Sequence, residues 1–190
     1  MKKHLVLFLA ACFLPAAAFG EKIDLGSGRT VHLTVPGTWT AGELPAPPPG
    51  LPVRGQSLRC VTKSGSNDSV MLTFVTVPDD RLADREVLKG MAEDASQQFV
   101  AGSVEGKADL REFKIGLAAG YSVTFTDASL VGQPAIKEDY KAMTSYFVYL
   151  GDRVLLSATI FSDDVKGPAY AEAVRLLKSV TLQLPSQQPI

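Results

Sequence analysis

The sequence contains few of the residues that build disulfides or metal centres. Its 190 residues include two cysteines and two histidines, and Cys12 and His4 both lie near the N-terminus. The rest of the chain has Cys60 and His32 alone. A single cysteine cannot form a disulfide within its own chain, and one cysteine with one histidine cannot supply the four ligands of a structural zinc site. We therefore expect no metal and no cofactor.

An excess of charge of one sign is also missing. Nineteen Lys and Arg residues are balanced by twenty Asp and Glu residues, which gives a formal net charge of −1. Because nucleic-acid binding depends on a basic surface, nucleic acid is not an expected partner. The sequence also lacks a Gly-x-Ser-x-Gly nucleophile elbow and a phosphate-binding loop. These absences predict a protein that is not an enzyme.

The apolar run near the N-terminus, residues 5–14, is shorter than the roughly 20 residues that span a bilayer. It follows two lysines and precedes small residues that end at Gly20. This pattern is typical of a bacterial secretory signal peptide, here residues 1–20. We expect cleavage after Gly20, with Ala18 as the alternative position. The predicted location is the periplasm or the medium, with no transmembrane segment after cleavage.

The same segment supports a second interpretation. Leu9-Ala10-Ala11-Cys12 resembles a lipobox, in which Cys12 is acylated and the protein becomes a lipoprotein. The residues after Cys12 are apolar, whereas lipoproteins usually become polar at this point. Cleavage after Gly20 is therefore the preferred interpretation.

The rest of the chain has the length of one domain. We predict a single α+β domain over residues 21–184 and a polar tail over 185–190. Residues 41–55 contain five of the twelve prolines. Proline has no backbone N–H and restricts the backbone, so this stretch is predicted to be a Pro-rich loop and neither helix nor central strand.

Alternating apolar and polar residues, interrupted by turn sequences, predict antiparallel hairpins. The two longest strands, 138–150 and 153–162, carry apolar side chains on both faces. Such strands need a cover on each face, which a sheet with one wet face does not provide. The other predicted strands are 22–25, 29–35, 57–63, 70–77, 110–115 and 121–126.

Two segments have helical periodicity. The first runs from an N-cap at Asp84 to a stop at Gly102, and the second begins at Pro168. Together with the hairpins they predict an antiparallel sheet flanked by helices on both faces, an α/β/α sandwich. The apolar residues of the first helix are Leu88, Met91, Ala95 and Phe99.

Three short motifs occur in an order typical of one superfamily. They are Val31-His32-Leu33-Thr34-Val35-Pro36-Gly37-Thr38-Trp39, the hairpin Gly151-Asp152-Arg153, and the closing Leu176-Leu177-Lys178-Ser179-Val180. Over most of residues 22–184 the chain resembles the PsbP-like α/β/α sandwich superfamily. The resemblance implies a non-catalytic scaffold, because members share a shape and not a reaction. They include a photosystem II subunit, a Ran-binding protein and bacterial envelope proteins, and no binding-site residue is carried over.

The predicted function is that of an exported accessory or binding protein of the bacterial cell envelope, with another envelope protein as its partner. The candidate binding residues are Trp39, Pro47, Pro48 and Pro49. Trp39 either packs at the sheet edge or forms a surface platform, and the prolines favour polyproline II. A sheet edge, the 41–55 loop and the 128–137 loop are the candidate docking surfaces.

Two other functions remain open. A periplasmic carrier of a small ligand or lipid would bind it between helix and sheet, and a carboxylate-dependent hydrolase would pair two acidic dipeptides across a cleft. Acidic residues also favour helix N-termini, which both dipeptides precede. The carrier residues are Met91, Phe99, Phe147 and Tyr149, and the acidic dipeptides are Asp79-Asp80 and Asp163-Asp164. Cys60 is predicted to be a buried, unreactive thiol and His32 a solvated strand residue.

Overall fold

The computed structural model describes residues 18–44, 55–137 and 139–185, and strands dominate these ranges. They contain ten strands, two α-helices and short 3₁₀ turns at Arg81–Ala83 and Ala128–Leu130. The helices are α1 (Arg85–Val100) and α2 (Pro168–Lys178). The strands are β1 (Phe19–Gly26), β2 (Arg29–Val35), β3 (Trp39–Glu43), β4 (Gly55–Thr62), β5 (Ser69–Thr76), β6 (Arg111–Ile115), β7 (Ala118–Thr126), β8 (Ala142–Gly151), β9 (Val154–Ser162) and β10 (Thr181–Gln183).

The strands pair antiparallel and form two sheets. A three-stranded sheet has the order β1-β2-β10, and a seven-stranded sheet has the order β3-β4-β5-β9-β8-β7-β6. The pairing of β5 with β9 joins distant parts of the chain, for example Thr73 with Ser157. The seven-stranded sheet therefore depends on long-range contacts at its centre.

The seven-stranded sheet has two faces, which we call inner and outer. Side chains alternate along a strand, so Leu156 and Ile160 of β9 lie on the inner face, while Leu155 and Phe161 lie on the outer face. Both sets are buried or partly buried. The prediction that β8 and β9 are apolar on both faces is confirmed.

The inner face packs against the three-stranded sheet and α2. Alternation along β2 turns Val31, Leu33 and Val35 into this core, where all three are buried. The buried Arg29 also joins the two sheets, since its Nη1 donates to the carbonyl oxygen of Asp152, 3.2 Å away in the β8-β9 turn. The residues that α2 and its end contribute are Ala173, Leu176, Leu177 and Val180.

The outer face is covered in part by α1. The Asp84 carboxylate caps this helix by accepting from the N–H groups of Glu86 and Val87, at 2.8 and 3.4 Å, as the sequence predicted. Leu88 and Ala92 are buried against the sheet. Because α1 lies mainly over β7 and β8, the other half of this face is more open to solvent.

The predicted α/β/α sandwich, a sheet flanked by helices on both faces, is wrong. The chain is mostly β, and a second sheet occupies much of the layer expected to be helical. The β1-β2 hairpin does not extend the large sheet. It pairs instead with β10, which follows α2 and was not predicted, and the three strands cover the inner face together with α2.

Two predicted boundaries are also corrected. β3 ends at Glu43, so the start of the predicted 41–55 loop is strand, and β8 begins at Ala142 and not at 138. Phe19 and Gly20, at the end of the predicted signal peptide, belong to β1 and pair with β2. Within the described ranges, no helix is both long and apolar enough to cross a membrane.

Candidate functional site

Trp39 does not form a surface platform. It is fully buried in the inner core, where its neighbours come from both sheets and from α2. Its indole Nε1–H donates to Glu172 Oε2 at 2.9 Å, and the Thr38 hydroxyl donates to the same oxygen at 2.7 Å. Trp39 therefore stabilises the junction of β3 with α2. The candidate residues Pro47, Pro48 and Pro49 lie outside the described residues.

The two acidic dipeptides do not face one cleft. Asp79-Asp80 follows β5 and Asp163-Asp164 follows β9, and these two strands are antiparallel neighbours paired from Ser69 to Thr76. The dipeptides therefore lie beyond opposite ends of this paired segment, which is itself roughly 23 Å long. Hydrogen bonds from Arg81 to Asp79 lower the pKa of that exposed carboxyl group. A hydrolase built on these two pairs is not supported.

Three of the four candidate carrier residues belong to the core beneath α1. Met91, Phe147 and Tyr149 pack on a cluster formed by α1 and the outer face. The Tyr149 hydroxyl also donates to the Asp80 carboxylate, which ties β8 to the segment before α1. Phe99 is placed differently, since it lies at the far end of α1 and lines a cavity.

A row of mainly apolar side chains crosses five strands of the outer face. Val61 on β4 lies opposite Ser69 on β5, which lies opposite Phe161 on β9. Phe161 lies opposite Met143 on β8, and Met143 lies opposite Phe125 on β7. Directly paired residues share a face, and strands are about 4.8 Å apart, so the row is about 19 Å long. We call this row and the space above it the groove.

Two separate cavities lie along the groove, and Tyr140, whose ring lies on Phe161 in the middle of the row, lines both. The larger, about 390 Å³, lies over β4 and β5. The smaller, about 230 Å³, lies between the end of α1 and strands β7 and β8. The larger cavity alone has the size of a small-molecule site, which is typically about 300 to 1,000 Å³. The apolar lining is Val61, Met71 and Phe161 in the larger cavity and Phe99, Phe125 and Met143 in the smaller.

One wall of the groove is formed by residues of the connection between β7 and β8, namely Asp127, Lys137, Asp139, Tyr140 and Lys141. The ring of its Tyr140 lies on the ring of Phe161, with a centroid distance of 4.4 Å. The Asn67 side-chain amide donates to the carbonyl oxygen of Ile136 at 2.7 Å and so ties the wall to the β4-β5 turn. Partial burial and the nearby carboxylates raise the pKa of Tyr140, so its hydroxyl is neutral at physiological pH.

Charged side chains line the larger cavity. Arg59 on β4 and Lys137 in the wall segment are exposed, and neither has a carboxylate within ion-pair distance in the described part of the chain. Asp68 and Asp139 line the same cavity. Asp68 accepts from the Ser162 hydroxyl at 2.5 Å, and Asp139 accepts from the next backbone N–H at 2.8 Å. The acidic groups thus have partners within the protein, whereas the two cations face solvent.

The remaining reactive groups lie away from the groove. Cys60 is fully buried in the inner core, and burial, with a smaller effect of Glu21, raises the pKa of its thiol to about 12. The thiol is therefore protonated and unreactive at neutral pH, as predicted. His32 Nε2 is 2.8 Å from the Gln183 side-chain oxygen. Among the residues described here, no three His, Cys, Asp or Glu side chains are grouped to hold a metal ion.

The groove offers apolar contact, aromatic rings and a charged rim, which is the chemistry of binding. No family model matches the sequence of this chain, and no curated protein matches it. The residues of the groove therefore have to be interpreted from their own geometry. Of these residues, the sequence alone singled out Phe99, as an apolar residue of the first helix, and did not place it beside Phe125 or Met143.

Proposed function

We propose that the protein is an exported, non-catalytic binding protein of the bacterial cell envelope that holds its ligand in the groove. The secretory pattern of residues 1–20 supports export. The observation that supports the binding role is the larger cavity over β4 and β5, because α1 lies over β7 and β8 and leaves this part of the outer face open, with Met71 exposed in it. A concave site with an apolar lining is typical of ligand binding.

The edges of the large sheet are weaker candidates for binding. β6, at one edge, carries the charged residues Arg111, Glu112 and Lys114 within five positions. β3, at the other edge, is only five residues long. Charged and short edge strands oppose the addition of another strand. Docking of an envelope protein on a sheet edge is therefore less well supported than binding in the groove.

The shape of the groove favours the carrier form of this function. Protein partners usually bury large and rather flat surfaces, whereas small ligands bind in concave sites with an apolar lining. The groove is concave, and most of the surface that lines its two cavities is apolar, although charged side chains also line the larger one. We therefore propose a small apolar ligand or a lipid as its occupant, in preference to an envelope protein.

Titration with Nile red, a neutral apolar dye, tests the groove as the binding site. Wild type should bind the dye saturably, with enhanced fluorescence. Met71→Lys should weaken binding at least tenfold, because it places a charge in the larger cavity. Val87→Lys is the matched control, since Val87 is also an exposed apolar residue but lies on α1 away from the groove, and this variant should bind like wild type. Equal binding by all three proteins would refute the proposal.

Export is tested separately by fractionating cells that express the full chain and measuring the intact mass of the product. The expected product is periplasmic or secreted and lacks the N-terminal segment. A diacylglyceryl group on Cys12 would instead establish the lipoprotein alternative. A full-length cytoplasmic product would contradict export, whatever the result with Nile red.

A further inference from the structure

We propose that the signal peptide is removed by hydrolysis of the peptide bond between Ala18 and Phe19, so that the mature chain begins at Phe19. Water adds across this bond: the C–N bond breaks, Ala18 keeps the new carboxylate, and Phe19 gains a free amino group. The inference rests on the export part of the proposed function, because a signal peptidase acts only on an exported chain. It replaces the expected cut after Gly20.

Two bonds near the end of the signal peptide have the small residues that a signal peptidase recognises. These residues lie first and third before the cut. For a cut before Phe19 they are Ala16 and Ala18. For a cut before Glu21 they are Ala18 and Gly20. Ala-x-Ala is the typical pattern, and only the cut before Phe19 has it.

β1 begins at the residue that follows the Ala-x-Ala cut. Phe19 pairs with Val35 of β2, and the pairing continues without a break to Asp24. A cut before Phe19 keeps every pair of this ladder. A cut before Glu21 removes the first two pairs, which Phe19 and Gly20 form. The start of the folded domain therefore coincides with the Ala-x-Ala cut.

The first pair of β1 holds backbone hydrogen bonds. Hydrogen-bonded pairs alternate with non-hydrogen-bonded pairs along an antiparallel ladder. The Thr34 N–H donates to the Ser179 hydroxyl at 2.8 Å, and Ser179 lies just before β10, on the other side of β2 from β1. The N–H and C=O of the next residue, Val35, therefore point toward β1, where Phe19 supplies their partners. Pro36 follows and has no N–H, which excludes the other bonding pattern at this pair.

Loss of these two hydrogen bonds would lower stability because Val35 is fully buried in the inner core. A buried N–H or C=O without a partner is destabilising. In a chain that begins at Phe19, the amino group still donates and the carbonyl oxygen still accepts. A chain that begins at Glu21 has lost both partners. The peptidase cuts before the chain folds, so the fold does not direct the enzyme, but it makes the longer product the more stable one.

N-terminal sequencing and the intact mass of the exported product, from cells that express the full chain, test the inference. We expect a product that begins at Phe19. A product that begins at Glu21 or at another residue, or one acylated at Cys12, would overturn this assignment and leave export in place. A full-length product that stays in the cytoplasm would contradict export itself.

Two substitutions separate the two cuts. Gly20→Gln places a large side chain directly before the cut at Glu21 and leaves Ala16 and Ala18 unchanged. A side chain at the exposed Gly20 meets no atom of a non-neighbouring described residue within 4 Å, so β1 accepts it. This variant should yield as much product beginning at Phe19 as wild type. Ala16→Gln alters only the residues recognised for the cut before Phe19, and it should lose most of that product.

Loss of processing in Gly20→Gln, or an unchanged yield in Ala16→Gln, would contradict the assignment. The melting temperature gives a second readout. If Ala16→Gln is cut before Glu21 instead, its product contains no substituted residue and differs from the wild-type product only in where it starts. That product should melt about 5 °C lower, because the two hydrogen bonds to Val35 are lost. Equal melting temperatures would contradict the structural basis of the assignment.

Discussion

The two faces of the seven-stranded sheet are closed in different ways. On the inner face, a second sheet and α2 bury residues such as Trp39, Leu72 and Leu156 completely. On the outer face, one helix covers β7 and β8, and Met71 on β5 keeps 36% of its surface exposed. The inner face therefore holds most of the buried core, and part of the outer face stays open to solvent.

The same comparison explains why apolar residues on both faces of a strand do not determine the fold. β8 and β9 are apolar on both faces, but the two covers have different secondary structure and different extent. Burial of apolar area is non-directional, so a sheet and a helix satisfy it equally well. The pattern of apolar residues along a strand indicates that both faces of the sheet must be covered. It does not indicate whether a helix or a second sheet covers them.

The largest effect is expected at the inner core. Trp39→Ala should lower the free energy of unfolding by about 3 to 5 kcal/mol, because it removes a fully buried ring. Trp39→Phe should lower the free energy of unfolding by a smaller amount, since it removes the hydrogen bond to Glu172 but keeps most of the packing. Urea denaturation measures both. A loss below about 1 kcal/mol for the alanine variant would show that this core is not the main source of stability.

The covered part of the outer face should be the next most sensitive. Leu88→Ala should cost about 2 to 4 kcal/mol, because Leu88 is buried between α1 and the sheet. Val87→Ala is the matched control on the preceding, exposed position, and it should change stability by less than about 0.5 kcal/mol. Similar losses for both variants would mean that α1 does not pack on the sheet as described.

The free energy of unfolding should also decrease at alkaline pH, because the Cys60 thiol in the inner core ionises less readily when the chain is folded. The thiol pKa is raised from 9.0 to about 12 in the folded chain, so its contribution to stability is complete below pH 9 and decreases as the pH rises toward 12. At pH 10 the loss should be about 1 kcal/mol. Cys60→Ala should lack this component of the pH dependence.

Thiol labelling gives a second measurement on Cys60. At pH 8 the native protein should react with a thiol reagent only after addition of denaturant, because the thiol is buried and protonated. Rapid labelling of the native protein would contradict the description of the inner core.

Apart from the Val87 control, the smallest effect on stability is expected at Met71. Met71→Ala should change the free energy of unfolding by less than about 1 kcal/mol, because this side chain is exposed on the open part of the outer face. The neighbouring Leu72→Ala, on the fully buried inner face, should lose about 3 kcal/mol. Thermal and urea unfolding measure the stability of both variants. Equal losses of stability at these adjacent positions would contradict the conclusion that the inner face is buried and this part of the outer face is open.

Local features of the fold were predictable from the sequence. Asp84 caps α1, Pro168 begins α2, and the two faces of β8 and β9 carry the expected residues. Each of these follows from a pattern within a few residues of the chain. The signals are hydrogen bonding to the first turn, the fixed φ of proline, and the period of two in a strand.

The long-range arrangement was not predictable from the same patterns. β10 is three residues long and pairs with a strand about 150 positions earlier, so no local periodicity marks it. The groove depends on four successive strand pairings that bring Val61, Phe161 and Phe125 into one row. Register across distant strands is set by the whole fold, and a single sequence does not contain it in readable form.

Methionine oxidation tests the proposed use of the outer face most directly. Dilute hydrogen peroxide, followed by peptide mass spectrometry, measures the oxidation rates of Met71, Met143 and Met91 in one sample. Nile red should protect Met71 and Met143, which line the groove, and leave the rate of Met91 on α1 unchanged. Unchanged rates at Met71 and Met143 under saturating Nile red would contradict the central claim that the groove binds an apolar ligand.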